Sequence, residues 1–139
     1  MNDETDTIPT TGGNAPVAVY ATDAVITVPA DASLRAAARA LDEGQVGIVA
    51  IGSASEVSAV LSERDLARAV AQGLDPDTTP AVEVASTKIV WVDDTATVDE
   101  VAELMMEQYV RHVLLEKDGH LVGIVSARDL LGAYAMASG

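Results

Sequence analysis

The sequence predicts a mixed α/β fold made of two related β-α-β-β-α repeats, each a small sheet packed with two helices. Three observations predict it. The chain matches itself at a fixed offset, each copy runs through strand-like and helix-like spacing in the same order, and one polar motif closes both copies. Apolar residues make up 49% of 139, enough for a core, yet aromatics are 3% and Phe is absent. Ala, Val, Leu and Ile must therefore build the interior.

The offset is 64 positions, the interval from Ser62 to Ser126. It superimposes Val28 on Val92, Ala32 on Ala96, Ala38 on Ala102, Glu43 on Glu107, Val46 on Val110 and Val49 on Val113. No gap is needed. Residues 1–15 are polar and contain Gly12 and Gly13, which predicts a disordered tail. The first repeat is expected over residues 16–73, a Pro/Asp/Thr-rich linker over 74–83, and the second repeat over 84–139.

Each repeat opens on a β-rich segment, "DAVITV" and "TKIVWV". Helix-start signals follow, with Asp31 in the first copy and Asp94 or Thr95 in the second. Leu34, Ala37, Ala38 and Leu41 then share one helix face, as do Val98, Val101, Ala102 and Met105. These faces read as core. The strand pairs "VGIVAI"/"VSAVLS" and "RHVLLE"/"LVGIVS" come next, with Lys117, Asp118 and Gly119 as the second turn. A last helix closes each repeat.

Composition excludes several classes. Twenty-two acidic residues against eight basic ones give a net charge of −14, a field that repels phosphate backbones and argues against nucleic-acid binding. No apolar run is long enough for a membrane helix, and "MNDETDTIPTTGG" lacks the order of a signal peptide, so a soluble cytoplasmic protein is expected. With no Cys there is neither disulfide nor thiol chemistry. No Gly-x-Ser-x-Gly elbow or phosphate-binding Gly-Lys loop occurs, and His112 and His120 have no metal-ligand spacing. An enzyme is not expected. The acidic, Lys-poor composition resembles that of salt-loving archaeal proteins, and an ordinary acidic cytosolic protein fits it equally.

The chemistry-bearing motif is Ser-x-Arg-Asp-Leu, with Ser62, Arg64 and Asp65 in one copy and Ser126, Arg128 and Asp129 in the other. A serine followed three residues later by an acid is the capping-box spacing, which needs no ligand. The arginine adds something. In a first helical turn the helix dipole disfavours a cation by up to about 1 kcal/mol. Its recurrence in both copies calls for a compensating anion, and a helix N-terminus suits phosphate. A carboxylate can accept both hydroxyls of a ribose. The cap and the ligand grip are compatible roles. A second constellation is Arg111 and His112 at the start of a strand, with Gly47 and Ile48 as first-repeat counterparts. Two solvated side chains are the plain alternative there; a titrating His112 would make phosphate binding depend on pH near neutrality.

The stretch "RHVLLEKDGHLVGIVSARDLL" and its first-repeat twin resemble the cystathionine-β-synthase (CBS) domain, present as a tandem pair over residues 17–137. The resemblance implies pseudo-twofold packing of the repeats and clefts for adenosine-containing ligands: AMP, ADP, ATP or S-adenosylmethionine. It implies crossed sites. Ser62, Arg64 and Asp65 would face Arg111 and His112, with Ser86 near the base; Ser126, Arg128 and Asp129 would face Gly47 and Ile48, with Thr22 near the base. The Asp65 site would then carry the denser positive charge and prefer the more highly phosphorylated nucleotide. No cofactor is required on this reading, only a regulatory nucleotide. The resemblance also implies a homodimer forming a four-repeat disc, with the Met105-Met106 helix and "LLGAYAMA" as contact surfaces, and an unknown regulated protein as partner. An interaction module without a nucleotide is the alternative.

Overall fold

The structure is a computed structural model that describes residues 12–21 and 24–138. Those residues form two compact units, one of residues 24–89 with 119–121 and one of residues 12–21, 90–118 and 122–138.

In the first unit the elements are β1 (Thr27–Val28), α1 (Leu34–Gly44), β2 (Ile48–Ser53), β3 (Glu56–Ser62), α2 (Glu63–Ala71) and α3 (Ala81–Val84). The sheet order is β1-β2-β3, with β1 parallel and β3 antiparallel to β2. A bulge at Ile51/Gly52 lets the hairpin turn. Gly52 has φ 120°, and a Cβ there would collide with the Glu56 carbonyl oxygen. Leu34, Ala37 and Leu41 of α1 pack on Val49, Ile51 and Leu61 of the sheet.

The second unit repeats the plan with β4 (Trp91–Asp93), α4 (Val98–Gln108), β5 (His112–Lys117), β6 (His120–Ser126, counted in this unit from Val122) and α5 (Ala127–Ser138). Its order is β4-β5-β6, with β4 parallel to β5 and Trp91 opposite Leu114. Asp118 and Gly119 both have positive φ, as a two-residue hairpin turn requires. Val98, Val101 and Met105 of α4 meet Val113, Leu115 and Val125. The predicted β-α-β-β-α order therefore holds in both copies. The opening strands pair over only two and three residues, shorter than the apolar segments that contain them.

The compact units do not coincide with the sequence repeats. Short helical turns open each repeat, Val17–Tyr20 and Ala81–Val84. The first belongs with β4–α5 and the second with β1–α2. Backbone hydrogen bonds fix both in the same way. Val17 N–H donates to Ala96 O at 2.8 Å, and Val98 N–H at the start of α4 donates to Ala15 O at 3.0 Å. Sixty-four positions away, Ala81 N–H donates to Ala32 O at 2.9 Å, and Leu34 N–H at the start of α1 donates to Thr79 O at 2.8 Å. Arg35 N–H also donates to Pro76 O, and its guanidinium pairs with Asp77, holding that carboxyl below its ordinary pKa. Residues 76–79, expected as linker, thus satisfy amides that a helix start leaves open.

Residues 1–11 of the expected disordered tail lie outside the described residues, whereas Gly12–Asn14 form a 3-10 turn and Ala15 is fully buried beside Val17. The polar composition of the tail hid this short apolar anchor. The helix caps are Ser33 and Thr97, not Asp31, Asp94 or Thr95. Ser33 Oγ accepts from Ala36 N–H, while Thr97 and Glu100 form a reciprocal box. The acid near the second start, Asp93, instead accepts from Thr95 and holds the preceding turn, which lowers its pKa. Met105 is buried in the core, and of the methionine pair only Met106 is exposed.

The Tyr134 hydroxyl of α5 donates to the Asp99 carboxylate of α4. That bond, with burial second, pushes the Tyr134 pKa from 10.0 up to about 12. A raised folded-state value means the contribution is complete below the unfolded value and is lost as pH rises through the folded one. Thermal melts of wild type and Tyr134→Phe should therefore differ most below pH 10 and converge between pH 10 and about 12. A difference that stays constant across that window would contradict the assignment.

Candidate functional site

Both Ser-x-Arg-Asp motifs sit at the junction where the last strand of a repeat becomes its last helix, β3 to α2 and β6 to α5. Ser62 N–H donates to Asp65 Oδ2 at 2.9 Å, and Asp65 N–H donates to Ser62 Oγ at 3.2 Å. The second copy matches: Ser126 N–H to Asp129 Oδ2 at 2.8 Å, and Asp129 N–H to Ser126 Oγ at 3.1 Å. The capping-box reading is correct in both repeats. It also fixes each carboxylate at a helix N-terminus, where the dipole favours negative charge and the box fastens one of its oxygens.

The strand starts are tied to these helix ends. Glu63 N–H donates to Gly47 O at 3.0 Å, and Ala127 N–H donates to Arg111 O at 2.8 Å. Ile48 stands opposite Ser62 in the sheet register. Ser86 exchanges both backbone bonds with Val60, at 2.8 and 2.9 Å, which holds it against β3. One unit therefore brings together Ser62, Arg64, Asp65, Gly47, Ile48 and Ser86. The other holds Ser126, Arg128, Asp129, Arg111 and His112. Thr22 lies outside the described residues. Within each unit, Ser-x-Arg-Asp adjoins the strand start of its own repeat.

The arginines behave differently from the carboxylates. Arg64, Arg111 and Arg128 are exposed, and none makes an ion pair among the described residues. In a chain with 22 acidic residues that is informative. Arg64 and Arg128, in the first turns of the two helices, pair with none of the described carboxylates, and the dipole alone disfavours them there.

The two ends differ in detail. Arg68, one turn after Asp65, donates from Nη1 to Asp65 Oδ1 at 3.2 Å, and the Ser62 hydroxyl also donates to Asp65 Oδ2 at 3.1 Å. Asp65 is the one buried charged side chain among the described residues. Gly132 stands where Arg68 would be in the second repeat, and Ala127 where Glu63 would be. Among the described residues, Asp129 Oδ1 takes no hydrogen bond. Sequence reading passed over Arg68, although its spacing of three from Asp65 on a helix was the available signal.

Comparison with known proteins follows these contours. The CBS domain matches twice, over residues 17–72 and 81–136. This chain belongs to the CBS-domain family. The CBS pair is 36% identical over 100 residues to Hypoxic response protein 1 of Mycobacterium tuberculosis, covering 70% of each chain. It is similar to a CBS domain protein from Pyrobaculum aerophilum complexed with AMP, with TM-score 0.73, 34% identity and coverage of 87% and 98% of the two chains. It is also similar to Hypoxic Response Protein I with two coordinated zinc ions, with TM-score 0.69, 32% identity and coverage of 84% and 97%. Among the described residues of this CBS pair, no group of three or more His, Cys, Asp or Glu is placed to hold a metal ion. No helix among them is long and apolar enough to cross a membrane.

The caps are testable apart from any ligand. Ser62→Ala and Ser126→Ala should each lower unfolding free energy by about 0.5–2 kcal/mol in urea titrations. A loss near zero for both would contradict the observed boxes.

Proposed function

We propose that this CBS pair is a regulatory module that takes an adenosine-containing ligand at its Ser-x-Arg-Asp helix ends and passes the occupancy to a partner protein. AMP, ADP, ATP and S-adenosylmethionine are the ligand class. The observation that carries the reading is the pairing of a fixed carboxylate with an exposed arginine that has no ion-pair partner among the described residues, at both helix ends. A capping box accounts for the serine and the aspartate but not for the arginine. A ribose accepted by Asp65 or Asp129 and a phosphate met by Arg64 or Arg128 account for all three. Arg111 and His112 in the second repeat, Gly47 and Ile48 in the first, and Ser86 and Thr22 are the remaining proposed contacts. The AMP held by the Pyrobaculum aerophilum protein supports the ligand class.

A ligand shifts a regulatory module only by binding two arrangements unequally, so the signal must be a difference in affinity. The proposed readout surface is a homodimer through α4 and α5, where Met106, Tyr109 and Leu131 are exposed apolar residues. Those residues also favour a second reading, a dimerising interaction module without a nucleotide.

A thermal-shift panel of AMP, ADP, ATP, NAD and S-adenosylmethionine separates the two. A ligand at 100 times its dissociation constant stabilises by about 2.7 kcal/mol. The nucleotide reading expects a shift of several degrees with at least one adenosine ligand, abolished in an Asp65→Asn/Asp129→Asn double variant. No shift with any ligand would overturn it and leave the interaction module.

A further inference from the structure

The two helix ends share a motif but not a hydrogen-bond inventory, and the difference bears on occupancy. We infer that Arg68 acts as a latch on the first-repeat carboxylate, so that an adenosine ligand fills the Asp129 end first. The inference rests on the nucleotide reading above and adds an order of filling to it.

An ionised carboxylate offers about four lone-pair sites. At Asp65 three of them are taken: Oδ2 accepts from the Ser62 N–H at 2.9 Å and the Ser62 hydroxyl at 3.1 Å, and Oδ1 accepts from Arg68 Nη1 at 3.2 Å. Two ribose hydroxyls cannot both be accepted there unless Arg68 or the Ser62 hydroxyl gives up its bond, and only Arg68 holds Oδ1. At Asp129 the Ser126 N–H is the one donor to the carboxylate among the described residues, and Oδ1 is open. Gly132, in the place of Arg68, has no side chain with which to reach that carboxylate.

A second difference acts in the same direction. Glu63 Oε1 lies 3.2 Å from the Cβ position of Gly47, which places a carboxylate beside the first-repeat strand start. Its counterpart Ala127 carries no charge, and the counterpart of Gly47 is the cation Arg111. An anionic ligand meets repulsion at one strand start and attraction at the other.

The latch is weak enough to open. The Arg68 side chain is 54% exposed, and exposed ion pairs contribute at most about 1 kcal/mol, equivalent to roughly a fivefold change in affinity. The first end is therefore delayed in filling, not abolished.

Isothermal titration of the full chain with AMP tests the order. Wild type should show two unequal classes of site. Asp129→Asn should remove the tighter class, and Asp65→Asn the weaker one. Arg68→Gln and Arg68→Ala should each tighten the weaker class, by up to about fivefold, and leave the tighter class unchanged. Two equal classes in wild type, or a first end that weakens or stays the same when Arg68 is replaced, would overturn the latch while the nucleotide reading stands. No heat from AMP, ADP, ATP or S-adenosylmethionine with any of these proteins would overturn the nucleotide reading, and the latch with it.

Discussion

Each unit of this protein depends on a backbone exchange that local sequence does not dictate. The first helix of a repeat begins with amides that have no partner inside the helix. In both units a carbonyl from just ahead of the other repeat supplies one: Ala15 O for Val98 and Thr79 O for Leu34. The return bonds, Val17 to Ala96 and Ala81 to Ala32, lock the same segments in place. Ala15, Val17 and Ala81, all fully buried, then close the two cores. The chain consequently visits one unit, builds the other, and returns to finish the first. Small residues are suited to this. With no Phe and a core of Ala, Val, Leu and Ile beside Met105, a segment can lie close against a helix start without displacing a large side chain.

The two Ser-x-Arg-Asp ends inherit this symmetry and then depart from it. The same strand-to-helix junction occurs twice, with the same box and an equivalent bond from the first helical amide to a strand start. The departures are single residues: Arg68 for Gly132, Glu63 for Ala127, Gly47 for Arg111. Each changes charge, and all lie within two helical turns of a junction. A duplicated scaffold thereby holds two ends with unlike electrostatics. The sequence-based expectation also made the ends unlike but favoured the opposite one, placing Arg111 and His112 across from Asp65 and giving that end the denser positive charge. The hydrogen bonds add that Asp65 is already engaged at both oxygens, while among the described residues Asp129 Oδ1 takes no hydrogen bond.

Much of this was legible in the residues. The 64-residue offset, the β-α-β-β-α order, the apolar faces of α1 and α4, and the capping boxes at Ser62 and Ser126 follow from spacing alone. What was not legible has physical reasons. The exchange is made by backbone groups of distant residues, and a backbone bond leaves no side-chain signature. In the second repeat the cap went to Thr97, since Thr95 is already bonded to Asp93 in the preceding turn. Ala15 looked like tail because one buried alanine cannot outweigh a polar neighbourhood. The Arg68 contact was less legible because an i, i+3 pair on a helix forms only in particular rotamers, which spacing alone does not specify.

The most direct test of the exchange is native-state hydrogen exchange at Val17, Leu34, Ala81 and Val98. If these four bonds hold the units together, their amides should be protected to a level approaching that of β2 and β5, since they open only when a unit unfolds. Exchange at the rate of unstructured peptide, with the sheet amides still protected, would contradict the account.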